Sequence, residues 1–273
     1  ETAIKIGLAL NCKFPKEMLF SRKNYFYPDM GKNYQITQYD MPVASKGFLT
    51  TNENKIRITR IQMEEDPARI VHEKDYVLVD YNRSGVPLCE IVTEPDFTSP
   101  REARIFLQQL TSILEYLDVM DPSIEGSMRV DANISRDNNR VEIKNITGFK
   151  EVEKALTYEN IRQKNLIKRG QEIKLETRGW DDVARITRSQ RSKEAEEDYG
   201  YITDPDLPVI NITKEKINNV KKTLPEMAQQ KIIRYKKDFS VSNDLAKSIT
   251  SEIDLAQIFE KVVEKLDPIF TAK

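Results

Sequence analysis

Tyr76-Val77-Leu78-Val79-Asp80-Tyr81-Asn82-Arg83-Ser84-Gly85-Val86-Pro87-Leu88-Cys89-Glu90 sets two apolar runs, each ending in a carboxylate, on either side of an asparagine-arginine loop. Short apolar runs bounded by turn residues read as buried strands, so the stretch predicts acidic side chains at strand ends. Upstream, Glu64-Glu65-Asp66 follows a segment in which Ile56, Ile58 and Ile61 stand among Arg57, Thr59 and Arg60, the pattern of another strand. Downstream come Glu94 and Asp96. Carboxylates gathered over a sheet are what a hard divalent cation needs, and magnesium takes oxygen ligands while keeping substrate phosphates in its shell. The stretch points to phosphoryl chemistry on a β-sheet floor.

A second stretch has the same character. Met128, Val130, Ala132 and Ile134 alternate with Ser127, Arg129, Asp131, Asn133 and Ser135. Asp137-Asn138-Asn139 then turns the chain, and Arg140-Val141-Glu142-Ile143-Lys144-Asn145 resumes the alternation. This predicts an antiparallel hairpin with one face in a core. Its other face, with Arg129, Asp131, Asn133, Glu142, Lys144 and Asn145, is either a solvated surface of cross-strand ion pairs or part of a polar sheet face shared with the acidic strands. The repeated pattern favours the shared face.

Helices frame these strands. Ile4, Leu8 and Cys12 at helical spacing, with Pro15 beyond, predict a helix over 3–12. Ser99 before Pro100 and three residues ahead of Glu102 forms a capping box. The helix it opens carries Ala103, Phe106, Leu107, Leu110, Ile113, Leu114 and Leu117 on one stripe. A helix over 150–169 turns Val152, Ala155 and Leu156 inward and stops at Gly170. Asp204-Pro205-Asp206-Leu207-Pro208 reads as a rigid linker. Helices are predicted near 213–223, 226–237, 242–251 and 254–265, the last with Leu255, Ile258, Phe259, Val262, Val263 and Leu266 on a wide face, and they suggest a small helical domain.

Two segments mix aromatics or cations. Residues 20–40 interleave Tyr25, Phe26, Tyr27, Tyr34 and Tyr39 with Arg22, Lys23 and Lys32, around a turn at Pro28, Asp29 and Gly31. Aromatics with cations can stack a base and hold its phosphate, but composition favours a half-buried strand pair whose tyrosines span core and solvent. Arg178, Arg185, Arg188, Arg191 and Lys193 surround Trp180, and arginine forks suit phosphate. Asp181, Asp182, Glu194, Glu196 and Glu197 also fit a neutral charged surface there.

The bulk numbers set the limits. The 273 residues carry 43 Lys and Arg against 44 Asp and Glu, so any polyanion site must be a local patch. No apolar run approaches the ~20 residues of a membrane span. Cys12 and Cys89 are the only cysteines, which excludes a disulfide framework and a C-x-x-C pair; each reads as a small buried hydrophobe in a cytoplasmic protein. His72 is the sole histidine and stands beside Glu73 and Lys74, so it reads as a surface residue and histidine-centred catalysis is disfavoured. Residues 1–10 show no basic stretch before a long apolar core, and no secretory signal is expected.

The motifs taken together resemble a known family. Arg22-Lys23-Asn24-Tyr25-Phe26-Tyr27-Pro28-Asp29, Tyr34-Gln35-Ile36, Gln38-Tyr39-Asp40, Met63-Glu64-Glu65-Asp66, Leu78 to Leu88 and Glu90-Ile91-Val92-Thr93-Glu94-Pro95-Asp96 are similar to GatB, the B subunit of the aspartyl/glutamyl-tRNA amidotransferases. So are Gly126 to Asn133 with Val141 to Asn145, Glu176-Thr177-Arg178-Gly179-Trp180 and Asp204 to Pro208. The likeness runs in order through nearly the whole chain.

The resemblance implies an α+β protein. An antiparallel-sheet cradle like the glutamine-synthetase catalytic fold would cover residues 1–208, and part of an all-α domain would cover 209–273. It implies an ATP-dependent carbon-nitrogen ligase with glutamine as amido donor, working with magnesium. The partners would be the amidase (glutaminase) subunit and the small subunit of the same complex, and tRNA(Asn) or tRNA(Gln), with no membrane. By motif matching, Glu64 and Glu90 take the places of metal ligands and catalytic carboxylates. Arg129, Asp131, Asn133, Glu142 and Lys144 become candidates for nucleotide and aminoacyl contacts, and Lys23, Tyr25 and Tyr27 for the tRNA 3′ end. The family opens with a strand bearing Glu-x-His and closes with a tail domain, so the chain is expected to be incomplete at both ends. A non-catalytic tRNA-binding or assembly module is the alternative. A free-standing amide ligase also fits the carboxylates, but it leaves the tyrosine-rich segment and the helices without a role.

Overall fold

The computed structural model describes residues 1–51, 54–124, 126–136, 139–192 and 200–272. The expectations for the His72 and Arg191 side chains, the Asp137-Asn138 turn and Lys193, Glu194, Glu196 and Glu197 lie outside the described set.

Along the chain run α1 (Thr2–Ala9), β1 (Glu17–Met18), β2 (Ser21–Asn24), β3 (Tyr34–Thr37), β4 (Ala44–Thr50), β5 (Lys55–Glu65), β6 (Arg69–His72), β7 (Val77–Asp80) and β8 (Pro87–Thr93). Next come α2 (Pro100–Tyr116), β9 (Val130–Arg136), β10 (Asn139–Ile146), α3 (Phe149–Lys168), β11 (Glu176–Asp181), β12 (Ile186–Ser192), β13 (Gly200–Thr203) and β14 (Ile210–Asn211). The chain ends in α4 (Lys214–Lys222), α5 (Ala228–Asp238), α6 (Asn243–Ile249), α7 (Ile253–Val263) and α8 (Pro268–Thr271). Two compact units form, Glu1–Phe97 with Lys193–Lys222 and Thr98–Ser192 with Thr223–Lys273.

In the first unit the eleven-residue β5 is the middle strand of an antiparallel β4–β5–β8 sheet. Ile56, Ile58 and Ile61 are buried from it, beside Ala44 of β4. Helix α1, with Ala3, Ile4, Ile6 and Gly7 buried, packs against this sheet and ends at Ala9, three residues short of the predicted stop. The reason is local. Asn11 adopts a left-handed φ of 56°, and the Cys12 N–H reaches back to the Gly7 carbonyl at 2.8 Å, which closes the helix in a Schellman motif. Gly47 then lies against this turn: a Cβ there would stand 2.3 Å from Cys12 Sγ and 2.6 Å from the Leu10 carbonyl, so only glycine fits.

Three smaller sheets complete the unit: β13–β2–β3, β1–β14 and β6–β7. The predicted burial of the runs before Asp80 and Glu90 is corrected here. Among the described residues β7 pairs with β6 alone, and Tyr76, Val77, Leu78, Val86 and Leu88 are exposed, because no further described layer of the unit covers them.

The predicted linker is also corrected, since Asp204 is only 3% exposed. Its carboxylate accepts the backbone N–H groups of Asp206 and Leu207 at 2.8 and 3.0 Å and the Arg22 Nε–H at 2.8 Å. The segment is a turn fastened to β2, not a tether. Burial opposes the ionised form, but the Arg22 and backbone donors prevail and hold the Asp204 carboxyl below its ordinary range. A depressed value contributes stability that is present above the unfolded value of about 3.9 and is lost as pH falls through the folded one. Asp204→Asn is therefore expected to cost about 1.5–3 kcal/mol at neutral pH, as for a hydrogen bond to a charged group. In urea melts, that gap to the unaltered protein narrows below about pH 4. A gap that persists at low pH would remove the ionised carboxylate from the account.

The second unit holds a four-stranded sheet in the order β12–β11–β10–β9. The hairpin is as predicted, with Val141 opposite Ile134 and Ile143 opposite Ala132. The sheet is not purely antiparallel, because α3 carries the chain from β10 to β11 and the two pair in parallel. Helix α2 starts with Ser99 Oγ accepting the Glu102 N–H at 3.2 Å. The Glu102 carboxylate reaches back one residue further than a capping box requires, to the N–H and hydroxyl of Thr98. Gly170, at φ 68°, stops α3 as expected.

The helices near the C-terminus do not form one separate domain. Helix α4 belongs to the first unit and packs on α1, whereas α5 and α7 pack on α2. Their core is Ile232, Tyr235, Val241, Ala246, Ile249 and Phe259. Only Ala256 and Phe259 of α7 are fully buried; Leu255 and Ile258 are exposed, so its inward face is narrower than predicted. No described helix is long and apolar enough to cross a membrane.

Candidate active site

The β5–β8 register builds the site. Gln62 stands directly opposite Glu90, and Glu64, two residues along β5, shares the Gln62 face. The Gln62 amide nitrogen donates to Glu64 Oε1 at 2.8 Å and to Glu90 Oε2 at 2.6 Å. Arg60, two residues back, donates its Nε–H to Gln62 Oε1 at 2.6 Å, which fixes which end of the amide faces the carboxylates. Thr37 of β3 adds its hydroxyl to Glu64 Oε1 at 2.8 Å. Gln62 is only 7% exposed, Glu64 is half-buried and Glu90 opens to solvent.

The other carboxylates of the acidic stretch are engaged elsewhere. Glu65 accepts the Ile36 N–H at 2.7 Å and pairs with Lys32. Asp66 pairs with Arg83 at 3.0 Å, Asp80 accepts the Asn82 N–H, Glu94 accepts the Thr59 hydroxyl at 2.7 Å, and Asp96 takes both Arg57 nitrogens at 2.8 and 2.5 Å. Of the predicted carboxylates, the structure brings together Glu64 and Glu90. Their oxygens fit magnesium, which needs one or two carboxylates beside water and phosphate. Among the described residues no cluster of three or more His, Cys, Asp or Glu side chains forms around them or elsewhere.

Cys89 precedes Glu90 and is half-buried, not fully buried as expected. Burial pushes its thiol up to about 12, and the negative charge of Cys12, Glu64 and Glu90 adds to the effect. Burial likewise raises Cys12 to about 11. Both stay protonated near neutrality and are poor nucleophiles.

The tyrosine-rich segment is a half-buried strand pair, β2 with β3, that leaves Tyr25-Phe26-Tyr27 at its rim. Phe26 is 88% exposed and Tyr27 half exposed, while Lys23 and Tyr25 are half-buried. Arg22 and Lys32 both lie over the Tyr34 ring, at 4.3 and 4.7 Å from its centroid, and both are also paired with carboxylates. Tyr39 stacks on Tyr201 with centroids 4.1 Å apart.

The hairpin face gathers Asp131, Asn133, Glu142 and Lys144. Asn133 is opposite Glu142, and the Lys144 ammonium is 3.3 Å from Asp131 and 3.9 Å from Glu142. Thr177 of β11 donates to Glu142 at 3.2 Å. Arg129 precedes β9 and is exposed. The expectation that this face continues the acidic strands is corrected: the hairpin pairs with β11 in its own sheet, because α3 returns the chain to its edge. Arg188 pairs with Asp181 as on a neutral charged surface, whereas Arg178 is internal, bonded to Thr187 and Glu176, which neither reading of the segment foresaw.

Gln62, Arg60 and Thr37 did not stand out in the sequence. Gln62 and Arg60 had a signal, since positions two and four before Glu64 on a strand share its face.

With this geometry in place, comparison with known families is decisive: the GatB/GatE catalytic domain matches residues 1–218. The chain belongs to the GatB/GatE family. A Methanosarcina barkeri protein, the B subunit of an aspartyl/glutamyl-tRNA(Asn/Gln) amidotransferase, is 51% identical over 283 residues, covering 100% of this chain and 57% of its own length. Proteins of the same name from Saccharolobus solfataricus and Thermotoga maritima are 48% and 47% identical over 277 and 280 residues. Each match covers 96% of this chain, and 59% and 58% of the respective relative. The chain thus spans under two thirds of these GatB relatives, and its Glu64–Gln62–Glu90 constellation lies within the matched catalytic domain.

Proposed function

We propose that the chain carries the phosphorylating and amidating centre of a tRNA-dependent amidotransferase, one that converts Asp-tRNA(Asn), Glu-tRNA(Gln) or both. The observation that carries this reading is the convergence of Glu64 and Glu90 on one amide, inside a domain described for its family as catalytic. The names of the relatives support the substrate class, and the word catalytic disfavours a mere assembly module.

The chemistry suits the side chains. A carboxylate is a poor acyl donor because oxide would have to leave. In the proposed reaction a side-chain carboxylate oxygen attacks the γ-phosphorus of ATP, the bond to the ADP oxygen breaks, and an acyl phosphate results. Ammonia then attacks the acyl carbon, the carbon–oxygen bond to phosphate breaks, and phosphate leaves with loss of a proton from nitrogen. Phosphoryl transfer asks the protein mainly for positioning and charge neutralisation. Magnesium, when bound, supplies that neutralisation at the phosphates, and Glu64 and Glu90 would hold it. No histidine base is needed.

Lys23, Tyr25 and Tyr27 are the proposed contacts of the tRNA 3′ end, where the exposed Tyr27 ring offers a stacking platform. Arg129, Asp131, Asn133, Glu142 and Lys144 are proposed for nucleotide and aminoacyl contacts. Ammonia would come from a glutaminase partner, with a small third protein completing a cytoplasmic assembly. Transfer of labelled γ-phosphate from ATP to Asp-tRNA(Asn) or Glu-tRNA(Gln) in that assembly tests the reading. No labelled acyl phosphate or tRNA-dependent phosphate release, with tRNA bound, would sink it in favour of a binding module.

A further inference from the structure

We infer that Gln62 is a positioning residue for the cation site, an inference that rests on the proposed metal role of Glu64 and Glu90. Three observations carry it. First, Gln62 is buried in the sheet, unlike Glu90, so its side chain is fixed by packing. Second, its orientation is set, because the Arg60 Nε–H at 2.6 Å occupies the amide oxygen and turns the nitrogen towards the carboxylates. Third, that nitrogen has two N–H groups and donates to one oxygen of each carboxylate, Glu64 Oε1 and Glu90 Oε2.

The consequence is electrostatic as well as geometric. Two carboxylates this close repel each other when both are ionised. The amide dipole, polarised by the Arg60 cation on its oxygen, places partial positive charge between them and steadies the pair before any cation arrives. It engages Glu64 and Glu90 through one oxygen each. The Thr37 hydroxyl converges on that same Oε1 of Glu64, so these bonds leave Oε2 of Glu64 outside the clamp. Gln62 thus fixes the rotamers of both acids without claiming both oxygens of either. Partners that orient metal ligands in this way typically change metal affinity by about 10–100-fold when removed.

The test is Mn²⁺ binding, read by electron paramagnetic resonance as free against bound ion, on the full chain and its variants. Gln62→Leu keeps the volume but removes both donors, and it is expected to weaken Mn²⁺ binding by about 10–100-fold. Arg60→Met, which frees the amide to rotate, is expected to weaken binding less than Gln62→Leu does. Circular dichroism and thermal melts of each variant establish that the fold is retained; a variant that loses the fold is replaced by Gln62→Asn, which keeps the donors but withdraws them and is expected to weaken binding as well. Equal Mn²⁺ affinity in folded Gln62→Leu, alongside weakened binding in Glu64→Gln and Glu90→Gln, would overturn the role of Gln62 alone. Unchanged binding in the two glutamate variants would overturn the metal reading itself, and the inference with it.

Discussion

Glu159→Leu is expected to destabilise the second unit by about 3–5 kcal/mol, the range for removing one partner from a buried ion pair. Glu159 on α3 is fully buried and surrounded by donors. Arg162 grips it with Nε at 3.0 and 2.9 Å from its two oxygens and a terminal nitrogen at 2.7 Å. Gln163 donates at 2.9 Å and Thr187 of β12 at 2.8 Å, and Arg178 of β11 approaches to 3.6 Å. One carboxylate therefore ties a helix to two strands, and its loss strands polar hydrogens that water cannot reach. Glu176 offers partial compensation, since Arg162 and Arg178 also touch it, at 3.2 and 3.0 Å. Glu159→Gln, which keeps acceptor capacity, should cost less than the leucine variant. Trp180, the single tryptophan, is buried on β11 with its N–H on Glu151, so its fluorescence in a urea titration reports on this unit. A loss below about 1 kcal/mol for Glu159→Leu would mean that Glu176 alone satisfies both arginines.

This network also shows where the sequence stops being legible. Periodicity placed β5, the β9–β10 hairpin, α2 and α3, because each buries one face and the burial leaves a period of two or 3.6. It could not show that Arg178, in a segment as acidic as it is basic, turns inward onto Glu159 and Thr187, since an internal cation has the same letters as a solvated one. Nor could it show that Tyr76 to Leu78 lies open, because a short apolar run reads as buried whether or not another layer covers it. Asp204-Pro205-Asp206 has the composition of a tether, and long-range partners, the Arg22 side chain and the Phe20 carbonyl, make it a fastening. At the site, residue type and order marked the acidic stretch as a whole, and the family resemblance singled out Glu64 and Glu90 within it. The register that sets Gln62 between them depends on how β8 returns along β5, which no local pattern encodes.

In the tRNA-dependent assembly proposed above, Glu90→Ala is expected to lower ATP- and tRNA-dependent amide formation by at least about 10³-fold, with tRNA binding and the proposed partner's glutaminase step intact. The magnitude follows from the several kcal/mol that metal-assisted charge neutralisation contributes to a phosphoryl transition state, at about 1.36 kcal/mol per tenfold in rate. Structural collapse is a poor explanation for such a loss, because Glu90 is exposed on β8, outside the core, and Gln62 keeps Glu64 as an acceptor after the change. Glu94→Gln is the control: it removes a nearby negative charge that serves the Thr59 hydroxyl, and it should leave amide formation within about threefold, the effect of a surface charge a few residues away. If Glu64 and Glu90 act as one unit, the double alanine variant will be scarcely worse than Glu90→Ala alone, whereas independent electrostatic contributions would multiply. Near-additive losses, or equal losses in Glu90→Ala and Glu94→Gln, would assign the effect to the overall negative field of the acidic stretch. The shared Gln62 clamp argues for the unit, since each glutamate owes its position to the same amide.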